Sequence, residues 1–178
     1  MFLYANGHRL LQRLSRRHYS NLTHVDEYGS AQMVDVSHKP DSIRTATASG
    51  KVILGKMVFD LVKSNQIKKG DVLTTAQIAG INAAKQTWTL VPLCHPVALS
   101  KVDVTMIMDE QNHTVCIDAL AKCTGKTGVE MEALTAVSVA ALTVYDMCKA
   151  VSRELKITDV RLTSKTGGTR GDYFEERI

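Results

Sequence analysis

From Met131 to Val151 the chain carries neither glycine nor proline, and Ala133, Ala136, Ala140, Ala141 and Ala150 keep the segment thin. Met131, Leu134, Val137, Ala141, Val144, Cys148 and Val151 recur at steps of three and four, the spacing of one apolar helix face. A helix of this kind has to bury that face, so the rest of the chain is organised around it. Gly125 and Gly128 punctuate a turn just upstream. Thr127 is the expected N-cap, and Glu130 three residues on can close a capping box. A second stripe holds Glu132, Thr135, Val139, Leu142, Asp146 and Lys149. It is polar at both ends and apolar between, whereas a solvated face would carry charge throughout. Asp146 and Lys149, three apart, share one side of the helix. Alone they read as an exposed ion pair of small weight. At the end of such a stripe they also read as an acid and an amine at the edge of a pocket, each acting on the other's pKa.

The other elements follow in order. Residues 33–37 (MVDVS) are a short strand or extended arm, and Lys39-Pro40-Asp41-Ser42 is a turn. Thr45–Leu54, rich in small and β-branched residues, is a strand. Lys56–Ser64 is a helix with Met57, Val58, Leu61 and Val62 inward. Gly70 gives a C-cap signal and Asp71 the next N-cap. Val72–Trp88 is a second helix with Ile78, Ile81 and Ala84 on its core side. Pro92 and Pro96 deny a regular element and leave a rigid loop presenting Leu93, Cys94 and His95. Adjacent Cys and His side chains point apart on an extended chain, so they do not form a nucleophile and base pair. Leu99–Met108 and His113–Cys123 are strands joined by a hairpin turn, the second with Val115, Ile117, Ala119 and Ala121 inward. After the long helix, Lys156–Lys165 is the last strand, with Val160 and Leu162 as its core pair. A flexible Gly-rich end follows. This order is that of an α+β, ferredoxin-like split βαβ fold, an antiparallel sheet with helices on one face. Its uncovered sheet face would carry Leu120 and Ile107, and a second subunit would cover it.

Lys and Arg number 22 and Asp and Glu 18. Arg9, Arg13, Arg16 and Arg17 lie in an acid-free N-terminal stretch, and without them the two signs balance. The net charge is therefore no argument for nucleic acid. Residues 1–22 are rich in Arg and Leu, with Ser20 near their end, the composition of a mitochondrial transit peptide, with a disordered basic tail as the alternative. Their apolar run is too short to span a membrane. The domain is expected over 23–172, with 173–178 as a C-terminal tail. A cytosolic location is the alternative to the mitochondrial matrix.

Several motifs fail. Gly125-Lys126-Thr127 resembles the end of a phosphate-binding loop, but Leu120 stands where that motif needs glycine. Cys94, Cys116, Cys123 and Cys148 form no CxxC pair, so no metal site is expected. Arg170-Gly171-Asp172 is taken as coincidence. No dinucleotide fingerprint or haem motif occurs, so no cofactor is expected. The remaining set is Arg44, Lys69, Lys149 and Lys165 with His95, Glu130, Glu132 and Asp146. Together these could enclose an anionic small molecule, lysines neutralising phosphates and carboxylates bonding amino groups of a base.

Residues 33–37 (MVDVS), 69–73 (KGDVL), 76–85 (AQIAGINAAK), 92–96 (PLCHP), 124–150 and 165–168 (KTGG) resemble the cyclic pyranopterin monophosphate synthases, the MoaC-type proteins of molybdenum cofactor biosynthesis. The resemblance spans about Met33 to Asp172. It implies a lyase that converts (8S)-3′,8-cyclo-7,8-dihydroguanosine 5′-triphosphate to cyclic pyranopterin monophosphate and diphosphate, without a redox cofactor. It implies a homohexamer, a trimer of dimers, with active sites at subunit interfaces, and an upstream radical enzyme as functional partner. By the same resemblance Asp146, Lys149 and Lys69 are catalytic. Leu93, Cys94 and His95 form one substrate-binding loop, Glu130, Met131 and Glu132 a second, and Arg44 and Lys165 bind anionic groups. Rival classes are a non-catalytic ligand-binding module of the same fold and a nucleic-acid-binding domain. The latter expects exposed aromatics on the sheet, and Leu99–Met108 and His113–Cys123 contain none.

Overall fold

The structure is a computed structural model and describes residues 31–176. The chain divides into the units Met1–Val34 and Asp35–Ile178, and every helix and strand named here lies in the second. The expected leader, residues 1–22, falls outside the described residues.

Five strands and four helices follow in the order β1 (Ser42–Ile53), α1 (Lys56–Lys63), α2 (Val72–Lys85), α3 (Thr87–Leu90), β2 (Leu99–Asp109), β3 (Thr114–Gly125), α4 (Glu130–Cys148), β4 (Lys156–Thr166) and β5 (Tyr173–Phe174). The strands form one sheet in the order β2-β3-β1-β4-β5, and every pairing is antiparallel. The α+β class with an antiparallel sheet is thus the observed architecture. β1 and β3 are interior strands; β1 alternates throughout and β3 from Val115 on. Ala46, Ala48 and Val52 of β1, and Val115, Ile117, Ala119, Ala121 and Cys123 of β3, are buried under the helices.

The thin helix forms as its composition requires. In α4, Ala133, Ala136, Val137, Ala140, Ala141, Val144 and Cys148 are all completely buried. By length and composition alone this helix could cross a membrane, but its alanine face is the core of the domain. α2 packs directly on it. A Cβ at Gly80 of α2 would lie 2.8 Å from the Ala136 carbonyl oxygen, so only glycine permits that approach.

Several local readings are corrected. The N-cap position of α4 is Val129, without a side-chain cap, so Thr127 and Glu130 make no capping box. The Glu130 carboxylate folds over Gly128 instead, because the preceding turn is held by tertiary contacts described below. The helix ends at Cys148 rather than Val151, where Val151 N donates to Cys148 O in a tightened last turn. Met57 is 60% exposed and Phe59 takes its inward place, its ring 5.5 Å from that of His113. Ile78 points outward at 62% exposure. The second helix stops at Lys85, and Thr87 starts a separate turn with its hydroxyl donating to Ala84 O. Val160 is exposed rather than core, at 38%, since Asp159 at φ 56° makes a bulge that shifts β4 against β1. Residues 33–36 have no regular secondary structure, and the turn falls at Val36–Lys39. The two-residue β5, unanticipated, pairs Tyr173 with Lys165 and Phe174 with Ser164.

The sheet face away from the helices is polar, with Thr47 bonded to Thr163 and Ser164, and Ser49 to Asp118. Ile107 stands on it at 55% exposure, with Leu120 half-buried.

Candidate functional site

Asp71 caps α2 by accepting from Thr74 N at 3.0 Å, and Gly70 before it adopts φ 97°. This local turn fixes the direction in which Lys69 leaves the chain. Its ammonium donates to Asp146 Oδ2 at 2.6 Å and to the Asp146 backbone oxygen at 3.0 Å. Lys149, one turn on along α4, meets the other carboxylate oxygen at 2.7 Å. One carboxylate is therefore shared by two ammonium groups, all three side chains about half exposed. The bonds from Lys149 and Lys69 hold the Asp146 carboxyl down to about 2. It is ionised throughout the physiological range and both of its oxygens are engaged.

The opposite end of α4 carries a second cluster. Glu132 is 4% exposed. Burial pushes its carboxyl up; its own backbone N–H counteracts this, and the nearby Glu130 charge adds to the rise. The Cys94 thiol is raised by burial and then by the Glu132 charge, so Cys94, in the loop of Leu93, Cys94 and His95, lies within electrostatic range of the start of α4. Met131 is exposed there. Lys165 of β4 reaches Glu130 at 3.5 Å. Arg44 of β1 is 5% exposed; its Nε donates to Gly125 O and its Nη2 to Lys126 O, each at 3.2 Å.

Glu132 and Asp146 sit on one helix, roughly 20 Å apart at about 1.5 Å per residue. A single chain thus brings Lys69, Asp146 and Lys149 together, and separately gathers Arg44, Cys94, Glu130, Met131, Glu132 and Lys165. It does not join the two groups. A groove of about 600 Å³ between residues 53–58 and 152–156 contains none of them. Among the described residues no group of three or more His, Cys, Asp and Glu could hold a metal ion.

Two residues were passed over in the sequence. The Lys126 ammonium donates to Ser37 O at 2.6 Å, tying the Val36–Lys39 turn to the turn before α4. Asp172 Oδ1 accepts from Gly167 N at 3.0 Å, so the Gly-rich end is a closed turn. The only signal for it was an Asp a short loop away from a Gly-Gly pair. Gly167 adopts φ 82°, and a Cβ there would lie 1.9 Å from Ile43 O.

Residues 33–168 match the model of a protein family described as the MoaC family. The chain is 63% identical over 154 residues to the mitochondrial cyclic pyranopterin monophosphate synthase of Arabidopsis thaliana, covering 86% of this chain and 57% of that protein. It is 57% identical over 152 residues to molybdenum cofactor biosynthesis protein 1 of Homo sapiens, covering 85% of this chain and 24% of that protein. With the cyclic pyranopterin monophosphate synthase of Heliobacterium modesticaldum it shares 56% identity over 155 residues, 87% of this chain and 98% of the other. The chain thus spans little over half of the plant relative and about a quarter of the human one, and nearly all of the bacterial one.

Proposed function

This chain belongs to the MoaC family, and on that premise we propose that it carries out the cyclic pyranopterin monophosphate synthase step of molybdenum cofactor biosynthesis. The substrate is the 3′,8-cyclised dihydro-GTP and the products are cyclic pyranopterin monophosphate and diphosphate. The observation that carries the reading is the sharing of the Asp146 carboxylate by Lys69 and Lys149. Asp146 anchors and orients two amines, and with its carboxyl near 2 it holds no proton to give at neutral pH. The amines face the substrate. Opening the guanine-derived ring and closing the pyranopterin moves several protons, and a positioned lysine can give or take each one. Attack of a ribose oxygen on the α-phosphorus forms one P–O bond and breaks the bond to the diphosphate, whose negative charge the ammonium groups stabilise.

The second cluster supplies recognition. Glu130 and Glu132 accept from amino groups of the base, the loop of Leu93, Cys94 and His95 and the Met131 side chain frame it, and Lys165 takes a phosphate. The separation of the two clusters along α4 supports an oligomer in which one subunit brings the Asp146 end and its neighbour the Glu132 end. The polar sheet face bearing Ile107 is a further surface for such contacts, and a homohexamer is the assembly we propose. The upstream substrate comes from a radical enzyme. The plant relative is named mitochondrial, which together with the composition of residues 1–22 supports a mitochondrial location over a cytosolic one.

The test is single-turnover conversion of the cyclised dihydro-GTP by the full chain and by Asp146→Asn, following diphosphate and pterin together. Both products from the wild type and neither from the variant are expected. Binding of the substrate without turnover by the wild type would favour a ligand-binding module.

A further inference from the structure

We propose that Arg44 is a positioning residue of the Glu132 cluster and not one of its phosphate ligands. The inference rests on the reading just given, which supplies the site it serves. An arginine that grips a phosphate does so with two parallel N–H donors of its planar fork left free for the anion. Arg44 is 5% exposed, and two of its nitrogens already donate to the carbonyls of Gly125 and Lys126. Those carbonyls belong to the turn that leads into α4, and that turn has no side-chain cap of its own. The guanidinium therefore fastens that turn from outside, as a donor to its carbonyls, and sets where Glu130 begins.

The same side chain meets the turn after β4. A Cβ at Gly168 would lie 3.4 Å from Arg44 Nη1. Lys165 leaves β4 just before this turn and reaches Glu130. Arg44 thus lies between the two segments whose side chains form the Lys165–Glu130 pair. It acts through both without standing in the open site. Lysine in its place keeps the charge but loses the two-pronged geometry, because an ammonium is a point donor on a flexible stem.

The experiment compares the full-length protein with Arg44→Lys by amide hydrogen exchange and by affinity for inorganic diphosphate, each also in a Lys165→Ala background. In Arg44→Lys, exchange at residues 126–131 and 166–168 is expected to rise about tenfold, with the strands unchanged. Diphosphate affinity is expected to fall severalfold in the Lys165 background and not at all once Lys165 is alanine. Unchanged exchange in Arg44→Lys, or an equal loss of affinity in both backgrounds, would overturn the proposal and make Arg44 a direct ligand. Should Arg44→Lys fail to fold, Arg44→Gln keeps one donor toward the carbonyls and removes the charge and the second prong. It is expected to raise exchange in the turn before α4, and an unaltered turn would count against the proposal. A wild type that protects both turns yet leaves the cyclised nucleotide unconverted would sink the reaction and leave the positioning role standing.

Discussion

Lys69 and Asp146 are separated by 77 positions in the chain and by 2.6 Å in space. Lys149 completes the arrangement from the other side of the same carboxylate. The contact is about half exposed, so neither partner is required for the core, and the pairing is aimed at solvent.

Replacing Asp146 by Asn removes the anchor of both amines and keeps the shape. Turnover of the cyclised nucleotide is expected to fall by at least about 10²-fold, with the thermal midpoint at pH 7 lowered only by the small stabilisation an exposed ion pair contributes. A variant within twofold of the wild-type rate would remove Asp146 from the mechanism.

The same carboxylate has a pH signature. Its pKa is lowered from 3.8 to about 2 in the folded protein. A carboxyl depressed on folding adds stability that is fully present above the unfolded value and is lost as pH falls through the folded one. Denaturant melts between pH 5 and pH 2 are expected to lose stability less steeply in Asp146→Asn than in the wild type. Superimposable curves would mean that the carboxylate is not held by the two lysines in solution.

Glu132 has the opposite sign. Burial raises its folded pKa above 4.5, so stability falls as pH climbs from the unfolded value through the folded one. Glu132→Gln keeps the volume and removes the charge. It is expected to raise the thermal midpoint at pH 7, with no gain at pH 4, while weakening substrate binding. A stabilisation equal at both pH values would trace to packing rather than to the buried charge.

The contact between α2 and α4 predicts the outcome of enlarging Gly80. Alanine there would place a methyl group 2.8 Å from the backbone oxygen of Ala136, an atom that cannot move without the helix. A loss of about 1–3 kcal/mol is expected in urea unfolding. A neutral Gly80→Ala would mean that the two helices stand further apart than described.

Much of the fold was legible because local chemistry and tertiary demand agree. The alanine spacing of α4, the alternation of β3 and the Asp71 cap each depend on side chains close in sequence. The errors fall where distant groups override local preference. Thr127 is a sound N-cap by type, yet the turn before α4 is held by Arg44 from β1. Met57 fits an inward position by spacing, yet the ring of Phe59 fills that place against His113. The bulge at Asp159 carries no cue beyond the residue's tolerance of positive φ, and it re-aims Val160.

The candidate site divides in the same way. From the sequence alone came the helix that carries Glu130, Glu132, Asp146 and Lys149, the rigid loop around His95, and the family, because identity of residue types in order is itself sequence information. Only the tertiary structure decided that Lys69 bonds the Asp146 carboxylate directly, that Arg44 is buried against carbonyls, and that the acidic and basic ends of α4 are two separate groups on one chain. The physical reason is that helix periodicity fixes which residues share a face but not what packs against that face. Contacts between distant segments are set by how the sheet and helices close on one another.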